Sequence, residues 1–83
     1  MVNDSLTNLI KSVPFEVTTD VGGNSTINTP DDFSCAIGVF IDNNTAGWFA
    51  RTTYSGTLIY IHFSTYNFSL GANKTFSGTL YYI

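Results

Sequence analysis

From Phe15 to the end of the chain, bulky side chains recur with a period of two, in a vocabulary of β-branched and aromatic residues. No other feature restricts the fold as much, because a period-two chain cannot present one apolar stripe as a helix. Phe15-Glu16-Val17-Thr18-Thr19 alternates as a half-buried strand, Gly22-Gly23-Asn24 turns, and Ser25 to Asn28 returns as a short partner. Pro30-Asp31-Asp32 is a turn: proline presets φ and the aspartates bond local backbone. Phe33 to Ile41 is expected as the strongest strand, with Phe33, Cys35, Ile37, Val39 and Ile41 on one face and the mostly small Ser34, Ala36, Gly38 and Phe40 on the other. A small face is expected where another sheet or chain approaches closely.

Asp42 to Gly47 is a loop of turn formers, followed by a strand at Trp48 to Thr53, a turn at Tyr54-Ser55-Gly56 and a strand at Thr57 to Ser64. In that last strand Leu58, Tyr60 and His62 alternate with Ile59, Ile61 and Phe63, so it reads as a central strand buried on both sides. Tyr66 to Lys74 reads as an irregular connection, and Thr75 to Ile83 as a closing strand with Phe76, Leu80 and Tyr82 on one side. Short strands separated by turn residues at this spacing predict an all-β fold, an antiparallel β-sandwich or a small barrel, over residues 14–83.

The first thirteen residues follow a different period. Val2, Leu6, Leu9 and Val13 are spaced four, three and four apart, the a/d repeat of a coiled coil. Asn3, Asp4 and Ser5 offer capping chemistry, and Pro14 closes the segment. A short helix over residues 1–13 is therefore expected, either capping the domain or forming the last turns of a longer multistranded stalk. The N-terminus has no basic region followed by a continuous apolar run, so the chain is expected to be made in a reducing cytosol without a signal peptide. No uninterrupted apolar stretch approaches a membrane span, and no membrane insertion is expected.

Charge and cysteine content narrow the function. Only 11% of residues are charged and the net charge is −3, which argues against binding nucleic-acid phosphates. Cys35 is the only cysteine, so neither a disulfide nor a cysteine metal cluster is available to a chain of 83 residues. Association between copies is the simplest alternative source of stability. His62 is the sole histidine and lies mid-strand, Asp31 and Asp32 sit together in a turn, and Asp42-Asn43-Asn44 departs from calcium-loop spacing. Neither catalysis nor a metal or other cofactor is implied. Five Asn-x-Ser/Thr triplets, beginning at Asn3, Asn24, Asn43, Asn67 and Asn73, read as an uncharged polar surface. Trp48, Tyr54, Tyr60, Tyr66, Tyr81 and Tyr82 are too many aromatics for so small an interior. Sugar rings stack on aromatics while their hydroxyls pair with Asp, Asn and Arg. Trp48, Arg51 and Tyr54, with Asp42 and Asn44 of the neighbouring loop, form the candidate saccharide site; packing in the core or a subunit interface is the alternative for Trp48 and Tyr54.

Pro30-Asp31-Asp32-Phe33 leading into Ala36-Ile37-Gly38-Val39-Phe40-Ile41, and the closing Gly78-Thr79-Leu80-Tyr81-Tyr82-Ile83, resemble the C-terminal head domains of bacteriophage tail-fibre and receptor-binding proteins, in particular those of phages infecting Gram-positive bacteria. The likeness covers about residues 13–83. It implies a β-sandwich or jelly-roll-like head on a stalk, carried on the virion tail, homotrimeric, and binding a host cell-surface glycan or teichoic acid without enzymatic activity. No binding motif carries over residue by residue, and the head is shorter than many of its kind. A structural trimerisation tip or a virion decoration module, with aromatics serving only subunit packing, is the alternative; a monomeric intracellular domain is a third.

Overall fold

The computed structural model describes residues 9–67 and 69–83, and its named elements are six strands. They are β1 (Lys11–Thr18), β2 (Asn24–Asn28), β3 (Ala36–Ile41), β4 (Trp48–Ser55), β5 (Leu58–Thr65) and β6 (Thr75–Tyr82). They form two antiparallel three-stranded sheets, one ordered β1-β6-β3 and the other β2-β5-β4. The inner faces share one core. Phe15, Val17, Ile41, Phe76, Leu80 and Tyr82 come from the first sheet and Ile59, Ile61 and Phe63 from the second. Phe63 and Phe76 stack across the gap with centroids 4.0 Å apart. Trp48 meets Phe76 edge-on at one end of this core, and Tyr54 meets Phe33 edge-on at the other.

Of the helix expected over residues 1–13, residues 1–8 lie outside the described residues, and its end is corrected: Lys11, Ser12 and Val13 open β1, paired with Tyr82, Tyr81 and Leu80. Two considerations favour the strand: Val13 packs against the core, and an isolated helix this short gains little in water. Pro14 is tolerated because β1 is a sheet edge, where a missing N–H breaks no ladder on the open side.

Three further expectations are corrected. Ser25 to Asn28 does not return on β1; the Gly22-Gly23 turn carries the chain across to the other sheet, where β2 pairs with β5. Gly23 sits at φ +77°, with its backbone against the Phe63 carbonyl, so a side chain fits poorly there. The strand expected at Phe33 to Ile41 begins only at Ala36, and its register slips at Ile37, because Ala36 pairs with Tyr82 and Gly38 with Tyr81. One extra residue reverses the alternation, so Ile37 is 52% exposed while Val39 and Ile41 still face inward. Finally, β5 is central within its sheet but buried on one face only: Ile59, Ile61 and Phe63 are covered and Tyr60 is exposed.

Candidate functional site

The β4–β5 hairpin sets the geometry of the outer face of the β2-β5-β4 sheet. Ser55 pairs with Leu58 around the two-residue turn Gly56-Thr57, with Gly56 at φ +61°, a position that tight hairpin turns reserve for glycine. From that closure the register runs unbroken, placing Arg51 opposite His62 and Thr53 opposite Tyr60. On the far side of β5, Asn24 lies opposite His62 and Thr26 opposite Tyr60. One transverse row therefore reads Asn24, His62, Arg51. The His62 ring bonds Asn24 through Nδ1 and Oδ1, 2.9 Å apart. An amide oxygen only accepts, so Nδ1 carries the proton and Nε2 is the ring nitrogen left to a ligand.

Aromatic and polar side chains surround that row. Phe49 is 57%, Tyr60 42% and Tyr66 80% exposed. Two hollows flank Arg51 and His62, which line both. One, of about 240 Å³, is bounded by Phe49, Tyr66 and Leu70; the other, of about 340 Å³, by Asn24, Thr53 and Tyr60. Flat rings, a guanidinium, an imidazole nitrogen and hydroxyls thus share one shallow surface.

The five residues expected to form the saccharide site are not brought to one place. Trp48 and Tyr54 point inward from opposite ends of β4, about 20 Å apart at the usual rise per residue. Arg51 lies between them on the opposite face, since alternate residues of a strand point to opposite sides. Trp48 is half-buried against Phe76 and joins the two sheets, whereas Tyr54, 48% exposed, rests edge-on against Phe33 of the segment before β3. Asn44 clamps the start of β4: its Oδ1 accepts from the Trp48 N–H at 2.8 Å and its Nδ2 donates to the Trp48 carbonyl at 2.8 Å. Asp42 Oδ2 accepts from Ser77 Oγ at 3.4 Å, a long bond. Asp42, Asn44 and Trp48 do meet around a hollow of about 410 Å³ that Lys74, Thr75 and Ser77 complete. A wider opening of about 700 Å³ between β1 and β2 is bordered by Glu16 and Asp20 with no cation in its lining.

Two carboxylates are held below their usual value. Asp20 is lowered chiefly by the Asn24 and Gly22 N–H groups, which donate to its Oδ1 at 3.0 and 2.8 Å. Asp32 is lowered first by Lys11, whose Nζ stands 3.1 Å away, and then by the Tyr82 hydroxyl, which donates at 2.9 Å. Both carboxylates serve the fold. Asp20 closes the turn before β2, and Asp32 ties the 30–32 turn to β1 and β6. Among the described residues no three His, Cys, Asp or Glu side chains gather as a metal site would require, and no helix is long and apolar enough to cross a membrane. Tyr60, His62, Asn24 and Phe49, absent from the expected site, line the hollows around Arg51, and the Gly56-Thr57 turn is the signal that sets His62 opposite Arg51. Compared with protein-family models, curated proteins and solved structures, the chain matches none.

Proposed function

We propose that this chain is a non-enzymatic recognition module, a β-sandwich or jelly-roll-like head of the phage tail-fibre kind, which binds a host cell-surface saccharide (a glycan or teichoic acid) as a homotrimer on the virion tail. The observation that carries the reading is the outer face of the β2-β5-β4 sheet, where Tyr60, Phe49 and Tyr66 offer rings to sugar C–H faces and Arg51, His62 and Asn24 offer hydrogen-bonding groups. This arrangement moves the binding surface from the Trp48–Tyr54 side of β4 to the side that carries Arg51. The other sheet supports assembly. Its outer face exposes Phe40, Tyr81 and Ile37 beside Gly38, which has open space above it. An exposed apolar surface on a chain with 11% charged residues suits contact with further copies. The trimeric stoichiometry and the phage setting rest on the resemblance.

A second reading, a trimerisation tip or decoration module without a ligand, is favoured by one observation: Trp48 packs between the sheets on Phe76, and Tyr54 leans on Phe33. Binding of the intact protein to an array of bacterial cell-wall saccharides separates the two. The recognition reading expects binding that Tyr60→Ala and Arg51→Ala abolish, with molar mass and circular dichroism unchanged. An array on which the folded protein binds nothing favours the module without a ligand.

A further inference from the structure

We infer that Arg51 and His62 together form an anchor for an oxyanion, so that the saccharide bound on this face carries a phosphate or carboxylate next to a free hydroxyl. The assignment rests on the saccharide-recognition reading above and deepens it. The chain has only three Lys and Arg, and Lys11 is paired with Asp32. Arg51, by contrast, has no carboxylate within 4.0 Å among the described residues, although acidic residues outnumber basic ones two to one. An exposed arginine opposite a histidine in the middle of an otherwise uncharged sheet face gains nothing from ion pairing within the fold.

The guanidinium presents a fork of donors matched to two oxygens of a phosphate or carboxylate. Nδ1 of His62 is engaged by Asn24, so Nε2 remains to bond a hydroxyl beside that anion. Asp20, at the turn before Asn24, already accepts from the Gly22 and Asn24 N–H groups. The anchor sits on the ridge between the two hollows, so the rest of the ligand extends over Tyr60 and Thr53 on one side or over Phe49 and Tyr66 on the other. Other hollows are poorer in this respect: one sets Asp42 beside Lys74, one between β3 and β4 has no charged lining residue, and one holds Glu16 and Asp20 without a cation.

The test titrates the intact, isotope-labelled protein with matched pairs, glucuronic acid against glucose and glycerol 3-phosphate against glycerol, following the Arg51 side-chain N–H and the His62 ring by NMR. The expected result is binding of the acidic member about tenfold tighter than its neutral partner, a difference of about 1.4 kcal/mol. The preference should be weakened by added salt, lost in Arg51→Gln and partly kept in Arg51→Lys. Whichever acidic pair gives the larger preference identifies the source of the oxyanion. Equal binding of the acidic and neutral members at this face overturns the anchor and leaves saccharide recognition standing. Acid-selective shifts confined to Lys74 or Lys11 also overturn it. Shifts with inorganic phosphate alone, and none with either sugar or glycerol derivative, reduce the site to an adventitious ion and overturn the inference. No response to any member overturns it as well, and array binding by the same sample then shows whether the recognition reading survives.

Discussion

Gly78 is the position where the fold leaves least room, and replacing it with alanine is the sharpest test of the packing. It lies in β6, the central strand of its sheet, opposite Phe15 on β1 and Ile41 on β3. A Cβ at this point would stand 3.0 Å from the Phe40 carbonyl carbon, 3.2 Å from the Ile41 Cα and closer still to the Phe40 carbonyl oxygen. Each of these neighbours is backbone, so no rotamer change relieves the contact, and β3 must retreat by about 1 Å or more to restore ordinary separations. Overpacking of this sort costs roughly 1–3 kcal/mol. Losing one or two ladder bonds between β3 and β6 adds about 0.5–1.5 kcal/mol each. The sum, roughly 1.5–6 kcal/mol, is a sizeable part of the roughly 4–12 kcal/mol typical of an 83-residue domain. Gly38→Ala is the control for space within one copy, since nothing lies within 4 Å of a Cβ there, and in a Phe40→Ser, Tyr81→Ser background its effect should stay within about 0.5 kcal/mol. Urea denaturation followed by circular dichroism reads both. A Gly78→Ala protein within about 1 kcal/mol of the parent would refute the close approach of β3 to β6.

Other expectations follow from the same geometry. Because the folded-state value of Asp32 lies below its usual 3.8, its stabilising effect is fully present above that pH and is lost as pH falls through the lower folded value; Asp32→Asn should flatten this acid limb in a pH series of urea midpoints. Burial, followed by the bond to Asp32, raises the Tyr82 hydroxyl above 10.0, so its contribution is present below that pH and lost as pH rises through the raised value; Tyr82→Phe should flatten the alkaline limb. Trp48→Ala removes a half-buried ring from Phe76 and should cost roughly 1–3 kcal/mol in thermal or urea unfolding while leaving saccharide affinity unchanged. Phe40→Ser with Tyr81→Ser should lower the molar mass by light scattering from that of the proposed homotrimer towards 9.1 kDa without changing the circular dichroism.

The positions of most strands were legible from alternation alone. Phe76, Leu80 and Tyr82 share a buried face, as period two requires, and Ile59, Ile61 and Phe63 do the same on β5. Register was harder to read. A turn at Tyr54-Ser55-Gly56 sets Thr53 opposite Thr57 and Arg51 opposite Ile59, whereas the turn at Gly56-Thr57 sets Arg51 opposite His62. Register decides only which β5 residue lies beside Arg51; that Arg51 faces away from Trp48 and Tyr54 follows from alternation along β4, which a site grouped by composition did not apply. The bulge at Ile37 reversed a face, with only Gly38 marking it in the sequence. At the N-terminus, Val13 satisfies both a heptad and a strand pattern, and its packing against the core together with pairing to Leu80 decides between them. His62 stood in the sequence only as a lone histidine mid-strand; its bond to Asn24 and its place in the candidate site depend on the register that sets Asn24 and Arg51 on either side of it.

Hydroxyl-radical footprinting of the protein with and without a bacterial cell-wall glycan tests most directly the claim that the two sheets divide recognition and assembly between them. The account predicts that Phe40 and Tyr81 are protected whether or not glycan is present, while Phe49, Tyr60 and Tyr66 react freely alone and become protected when glycan is added. Glycan protection that falls instead on Tyr81 and Phe40, with Tyr60 and Tyr66 unchanged, would contradict it.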